Sequence, residues 1–207
     1  MLAKDVVGLV EACGYERATL VGHDWGGVVA WWVAMRYPHR LARLAVLNAP
    51  HPWAMWRSLR RNPGQALRSL YILFFQVPRL PEALLRNNDW DVLVKGFRNL
   101  SPPGVFSDED IEQYRQAWWR TGAMTSMLNW YRANLRMPPI FPANPRIGAP
   151  ALIVWGARDP YLGVELAHQS AKLCDQGQVE VFQEATHWVQ HEKVEQVNTL
   201  LSNFLTI

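Results

Sequence analysis

The stretch ATLVGHDWGGVVAWWVAMRY, residues 18–37, decides the fold of this chain. It begins with an apolar run typical of a buried strand and ends with a helical pattern that stops before Pro38. Between the two lies a Gly-x-Asp-x-Gly turn, with small residues on both sides of Asp24. A strand that turns this sharply into a helix forms a strained elbow with one side chain at its tip. We therefore predict that Asp24 points out above the end of a strand.

Strand and helix patterns alternate on both sides of this elbow. Besides residues 18–21, buried strands are predicted at residues 44–47, 151–155 and 179–182. Helical patterns cover residues 2–12, 28–37, 163–174 and 189–204. Such alternation predicts an α/β fold in which a parallel sheet carries helices packed on its faces.

The middle of the chain has a different pattern. Residues 52–145 contain helical patterns rich in Trp and Arg, divided by several prolines, and no strand pattern. A strand pattern closes before this segment and resumes after it. We therefore predict a helical cap at 52–145, inserted between two parts of one core at 1–51 and 146–207.

Composition limits the class of protein. The chain has 207 residues, of which 49% are hydrophobic and 19% charged, enough to bury a globular core. Its net charge of +3 includes one short basic run at residues 57–61, too mixed with apolar residues to predict nucleic-acid binding. The two cysteines exclude a disulfide scaffold and a thiolate-rich metal site. Without a signal-peptide pattern or a long apolar run, we expect a soluble, cytoplasmic protein with no stable membrane insertion. The sequence does not determine its oligomeric state.

The residue at the elbow determines the chemistry. A carboxylate with a reference pKa near ~3.9 is ionised at neutral pH, so Asp24 can attack carbon without a base. The product of attack on saturated carbon is an ester, whose hydrolysis requires a histidine and an acid that orients it. Asp159 follows the third predicted strand and His187 follows the fourth, in the order nucleophile, acid, histidine. We expect all three at the same edge of the sheet.

Each of these residues also has an ordinary structural interpretation. An aspartate in a glycine-rich turn is often only a turn former, and Asp159 in an Asp-Pro pair can cap the next helix. His187 alone can be a buried core histidine. The three-part pattern favours the catalytic interpretation over these separate ones.

Several motifs resemble those of the epoxide hydrolases of the α/β-hydrolase superfamily. They are GHDWGG at 22–27, NAPHP at 48–52, WGARD at 155–159 and ATHWVQ at 185–190. The resemblance implies an α/β-hydrolase fold with an inserted helical cap. It also implies that Tyr71 and Tyr131, the tyrosines in SLYILFFQVP and LNWYR, hold and protonate the oxygen of an epoxide. Either tyrosine could instead be ordinary cap packing.

The same resemblance defines the remaining site. Its partners are a small apolar epoxide and water, with no metal or cofactor. The backbone amide of Trp25, at the start of a helix, is the predicted donor to the oxyanion of ester hydrolysis. His23 is expected to line or brace the crevice.

The sequence departs from the family in one respect. A His-Gly-x-Pro loop that supplies the second oxyanion donor in related enzymes does not occur, and the elbow follows closely on Met1. We therefore expect only the C-terminal half of an eight-stranded sheet, in a chain truncated relative to the family. Loss of one oxyanion donor typically slows hydrolysis by ~10²–10³.

Three other functions remain open on the sequence. A haloalkane dehalogenase resembles this chain in its aspartate elbow followed by a tryptophan, but halide leaves without a proton and needs no tyrosine pair. An inactive hydrolase fragment is favoured by the lack of the loop. A serine esterase is disfavoured because the elbow contains no serine.

Overall fold

The computed structural model describes residues 1–137 and 139–206, so Pro138 of the predicted cap and Ile207 of the predicted core lie outside the described residues. Backbone contacts divide the chain into two compact units. The first contains Met1–Ala66 and Phe141–Ile207, and the second contains Leu67–Ile140. Residues 52–66, assigned to the cap from sequence, make their contacts within the first unit. The boundaries of a functional cap domain stay a prediction.

The first unit contains a parallel sheet of four strands in the described part of the chain. The strands are β1 (Ala18–His23), β2 (Leu41–Leu47), β3 (Ala151–Gly156) and β4 (Gly177–Phe182), and they lie side by side in that order. All three neighbouring pairs are parallel. This confirms the predicted α/β class and the position of each strand. Because the strands are parallel, the loops that follow them emerge at one edge.

The central strands β2 and β3 are buried on both faces, as a parallel sheet between helices requires. Their side chains alternate between two apolar clusters. One cluster includes Leu44, Val46, Ile153 and Trp155. The other includes Ala45, Leu47, Leu152 and Val154. Burial of each large apolar side chain stabilises the fold by roughly 1.5–3 kcal/mol, so these two strands anchor the sheet.

Helices flank the sheet. Those of the first unit are α1 (Leu2–Ala12), α2 (Asp24–Arg36), α3 (Pro52–Arg61), α9 (Glu165–Ala171), α10 (Val189–Glu192) and α11 (Val194–Thr206), with a 3₁₀ turn at Pro38–Arg40. Helix α2 was predicted to begin at Val28, yet it begins at Asp24 because the chain turns directly from strand to helix. The single helix predicted at residues 189–204 is divided at Lys193, which has a non-helical backbone.

The described residues of the second unit form helices joined by turns, with no strand among them. After α4 (Pro63–Arg68), which crosses the boundary between the units, it contains α5 (Tyr71–Phe74), α6 (Leu80–Asn99), α7 (Asp108–Trp119) and α8 (Ala123–Arg136). Helix α6 has non-helical dihedral angles at residues 87–90. A capping box between Ser107 and Asp110 begins α7. Arg132 ties α8 to α6 through a salt bridge to Glu82 at 2.7 Å.

Within residues 1–137 and 139–206, no helix combines the length and the apolar character that crossing a bilayer requires.

Candidate active site

The turn from β1 to α2 is the predicted elbow. Asp24 has a φ of 49°, a left-handed backbone conformation that side-chain-bearing residues rarely adopt. Two glycines allow the close approach that this turn needs. A Cβ at Gly22 would lie 2.7 Å from the backbone of Gly26, and a Cβ at Gly27 would lie 2.3 Å from the Cβ of Ala49. The Asp24 side chain remains 41% exposed, so the strained turn presents its carboxylate.

The structure brings the three predicted catalytic residues together at the carboxyl edge of the sheet. Nδ1 of His187 lies 2.7 Å from Oδ2 of Asp159, within hydrogen-bond distance. Nε2 of the same ring faces Oδ1 of Asp24 at 3.6 Å, too far for a good hydrogen bond. The imidazole thus lies between an orienting acid and the elbow carboxylate, the geometry of a nucleophile, histidine and acid triad.

Asp159 is a fully buried carboxylate with a complete set of donors. Its Oδ1 accepts the backbone N–H groups of Tyr161 at 2.8 Å and Leu162 at 3.0 Å. Its Oδ2 accepts from the side-chain amide of Asn48 at 2.7 Å as well as from His187. These four donors satisfy the oxygens of the buried side chain and fix its orientation.

Asn48 is a site residue that sequence reasoning did not assign. It lies at the end of β2 with a φ of 40°, and its Oδ1 accepts the N–H of Gly156 at 2.9 Å. Its Nδ2 donates to Asp159, so one amide joins the ends of β2 and β3 at the acid. The signal in the sequence was a polar residue directly after an apolar strand. Its partner Asp159 lies 111 residues away, so no local pattern could show the contact.

The charges around His187 favour its protonated form. Burial disfavours the imidazolium, but the hydrogen bond and charge of Asp159 outweigh burial, and with Asp24 and Glu192 they raise the pKa of His187 above its usual value. Glu192 also accepts the N–H of Thr186 at 2.9 Å and bonds to its hydroxyl. The loop that carries His187 is therefore held by Glu192, the last residue of α10.

His23 braces His187. Its Nε2 lies 2.9 Å from the carbonyl oxygen of His187, and the two ring centroids are 4.7 Å apart. Burial and the neighbouring His187 lower the pKa of His23 to about 4, so the neutral ring donates to that carbonyl. The structure thus shows a bracing contact, whereas substrate binding by His23 and oxyanion binding by the Trp25 amide, in the first turn of α2, stay predictions.

Tyr161 is a second residue that the sequence did not mark. Its ring packs edge-on against the ring of His187, with 5.5 Å between centroids. Burial and the charges of Asp159 and Asp24 raise the pKa of the phenol. The carboxyl groups of Asp24 and Asp159 and the phenol of Tyr161 therefore surround the imidazole of His187.

The two predicted tyrosines of the cap lie close together within the second unit. Tyr71 begins α5 and Tyr131 lies on α8, with ring centroids 5.9 Å apart in an edge-to-face arrangement. Phe75 contacts both rings, at 5.4 Å and 5.0 Å. The two aromatic rings are thus in contact, and the catalytic role of the two tyrosines stays a prediction.

Comparison with known proteins agrees with this fold and site. The chain matches the alpha/beta hydrolase family over residues 2–200, and it belongs to that family. It is 40% identical to the AB hydrolase superfamily protein YfhM of Bacillus subtilis, over 99% of this chain and 71% of that protein. The predictions of a hydrolase and of an α/β-hydrolase fold are confirmed.

Other relatives are named epoxide hydrolases. Human Epoxide hydrolase 4 is 33% identical over 99% of this chain, which spans 58% of the length of that protein, less than two thirds. A crystal structure of an epoxide hydrolase from Bacillus megaterium, complexed with its product (R)-3-[1]naphthyloxy-propane-1,2-diol, matches with a TM-score of 0.86 and 31% identity. The matched region covers 99% of this chain and 75% of the Bacillus megaterium chain. The resemblance to epoxide hydrolases is confirmed.

Proposed function

We propose that this protein hydrolyses an epoxide to a vicinal diol through a covalent ester on Asp24. One observation carries the proposal: the strained elbow presents Asp24 to the Nε2 of His187, whose other nitrogen is held by Asp159. A carboxylate at this position, rather than a serine, selects attack on saturated carbon. The relatives named epoxide hydrolases support the same reaction.

In the first half of the reaction, a carboxylate oxygen of Asp24 attacks one epoxide carbon and the bond from that carbon to the ring oxygen breaks. Negative charge develops on the ring oxygen, and Tyr71 and Tyr131 bind it and supply a proton. The closeness of the two rings, 5.9 Å between centroids, supports a role for both tyrosines at one substrate. A hydroxyalkyl ester of Asp24 results.

In the second half, Nε2 of His187 removes a proton from water, and the hydroxide adds to the carbonyl carbon of the ester. The amide of Trp25 stabilises the oxyanion. Collapse of the tetrahedral intermediate expels the diol, which takes its proton from His187. The proton that remains on the carboxyl group of Asp24 returns to the tyrosine that protonated the ring oxygen, which restores the starting enzyme. The diol leaves with an oxygen atom from Asp24, and the water oxygen stays in the carboxylate.

The charges around His187 suit this order of events. In the free enzyme the negative charge of Asp24 helps to raise the pKa of His187. Ester formation removes that charge, so the pKa of His187 falls as the histidine becomes the base. Alkylation itself requires no base, so a protonated His187 does not obstruct it.

We further propose a small, apolar epoxide as the substrate. The diol in the complex of the Bacillus megaterium enzyme corresponds to 1-naphthyl glycidyl ether before hydration. That ether is a suitable first probe for this chain, with styrene oxide as a smaller one.

A single turnover in H₂¹⁸O tests the mechanism. With enzyme in excess, we expect diol without ¹⁸O and one ¹⁸O atom in the peptide that contains Asp24. Diol that carries ¹⁸O would show direct attack by water and contradict the ester mechanism. The His187→Gln variant should accumulate the ester, measured as an increase in intact mass equal to that of the epoxide.

A chloroalkane assay distinguishes the dehalogenase alternative. We expect diol from the epoxide and no chloride from 1-chlorobutane, because the tyrosine pair serves an oxygen leaving group. Release of chloride without any diol would favour a haloalkane dehalogenase. Absence of both products and of any mass increase would favour the inactive fragment.

A further inference from the structure

Gln65 is a buried polar side chain to which the proposed reaction assigns no role. It lies on α4 with 0% of its surface exposed. Its Nε2 donates to the carbonyl oxygen of Tyr161 at 2.9 Å, and its Oε1 accepts the N–H of Gly163 at 3.0 Å. A buried amide is stable only when both ends are hydrogen-bonded, and here both ends bond to one short loop.

That loop follows directly after the catalytic acid. The N–H groups of Tyr161 and Leu162 donate to Oδ1 of Asp159, while Gln65 holds the same loop at Tyr161 and Gly163. Tyr161 therefore bonds to Gln65 through its carbonyl and to Asp159 through its amide. Displacement of the loop would move two of the four donors that fix the acid.

Asn62 offers a comparison within the same element. It precedes α4, and its Oδ1 accepts the N–H groups of Gly64 at 3.0 Å and Gln65 at 3.3 Å. Its Nδ2 donates to Oε1 of Glu165 at 2.8 Å. These bonds hold the start of α4 and tie it to α9, but they do not include the loop at 160–163. If this region contributed only to stability, replacement of Asn62 would therefore have the same effects as replacement of Gln65.

We propose that Gln65 is a positioning residue for the Asp159 and His187 pair. Its amide keeps the loop after β3 at the distance where that loop donates to Asp159, and Asp159 in turn orients His187. The consequence for catalysis rests on the proposed function: Gln65 serves the hydrolysis of the ester and not its formation, because Asp24 attacks without His187.

The first test needs no substrate. In Gln65→Leu the loop loses its two hydrogen bonds to the side chain of residue 65, so we expect the bond from Asp159 to His187 to loosen. We expect the pKa of His187, followed by ¹H–¹⁵N NMR, to fall by about one unit, and its Nδ1 proton to move upfield. Asn62→Ala should lower the melting temperature and leave the titration of His187 unchanged. An unchanged titration in Gln65→Leu, or an equal shift in both variants, would overturn the proposal.

The variants leave in place the titratable groups that face His187. These are Asp24, His23, Asp159, Tyr161 and Glu192. A shift in the pKa of His187 therefore reports a change of position and not the loss of a charge. Gln65→Met, which also removes both hydrogen bonds, replaces Gln65→Leu if the latter does not fold.

The second test separates the two halves of the reaction. In Gln65→Leu we expect hydrolysis of the ester to slow by about tenfold to a hundredfold, as for loss of other supporting hydrogen bonds, while the rate constant of alkylation stays within about twofold. Equal losses in both steps would contradict a role through His187. If the wild-type protein forms neither ester nor diol, the proposed function fails, and the titration alone decides the role of Gln65.

Discussion

Nε2 of His187 lies 3.6 Å from Oδ1 of Asp24, so the histidine proposed to act on the ester faces the carboxylate proposed to form that ester. The charge of Asp24 contributes to the raised pKa of His187. Formation of an ester neutralises that carboxylate. The basicity of His187 is therefore linked to the progress of the reaction.

Asp24→Asn provides a neutral substitute for the ester and tests this link. Asparagine also tolerates the left-handed backbone at the elbow. We expect the pKa of His187 in this variant to lie about one unit below that of the wild-type protein, equivalent to about 1.4 kcal/mol. NMR titration of the imidazole measures the change. Asp5→Asn, an exposed change on α1, is the control, and an equal pKa in both variants would contradict the link.

The elbow glycines give a prediction about stability. A Cβ at Gly27 would lie 2.3 Å from Ala49, whereas a Cβ at Gly26 meets nothing within 4 Å. We expect Gly27→Ala to lower the free energy of unfolding by about 1–3 kcal/mol through overpacking. Gly26→Ala should be neutral or stabilising by up to about 1 kcal/mol, because alanine favours a helix over glycine. Urea unfolding measures both, and equal effects would refute the argument.

Buried His51 predicts a loss of stability in acid. Its Nδ1 accepts the N–H of Trp53, its Nε2 donates to the carbonyl of Pro145, and burial lowers its pKa from 6.5 to about 4. Since the unfolded state binds the proton first, the contribution of His51 is complete above pH 6.5 and is lost as pH falls from 6.5 to about 4. The loss is on the order of 3 kcal/mol.

His51→Gln removes this titration and keeps an amide for hydrogen bonding. Measured by calorimetry from pH 7 to pH 4, the variant should lose about 3 kcal/mol less stability than the wild-type protein over that range. The wild-type profile should be retained by His39→Gln, since His39 is exposed. A His51→Gln profile parallel to that of the wild-type protein would show that another group causes the acid loss.

Local patterns were sufficient to predict the sheet and the proximity of Asp24, Asp159 and His187, whose catalytic roles stay predictions. Asp24 follows β1 directly, and Asp159 and His187 lie in the loops after β3 and β4, so parallel topology places them at one edge. The predicted start of α2 lay too far along the chain, because the backbone conformation of Asp24 cannot be recognised from a helical sequence pattern. A left-handed backbone of this kind is strained, and it persists only because the surrounding structure holds it in place.

The residues that support the triad could not be predicted in the same way. Gln65 bonds to a glycine 98 residues away. Tyr161 lies in a loop with no periodic pattern, and its contact with His187 follows from the packing of two strand ends. Polar residues of these types occur throughout loops and helix starts, so only the folded chain shows which of them hold the catalytic acid.

Asn48 provides the last prediction, because strain and hydrogen bonding can be separated there. Its φ of 40° disfavours side chains other than Asn, Asp and Gly, and its Nδ2 holds Asp159 at 2.7 Å. Asn48→Gly removes the hydrogen bonds and the strain, whereas Asn48→Ala removes the bonds and keeps the strain. We expect both variants to slow ester hydrolysis by about tenfold to a hundredfold.

In stability the two variants should differ. Asn48→Ala should unfold more readily than Asn48→Gly by about 1 kcal/mol, the cost of a left-handed backbone at a residue with a Cβ. Single-turnover kinetics and urea unfolding on the same samples provide both numbers. If hydrolysis slowed only in Asn48→Ala, the backbone at the end of β2 would control the acid, and the amide of Asn48 would not be the group that holds Asp159 in place.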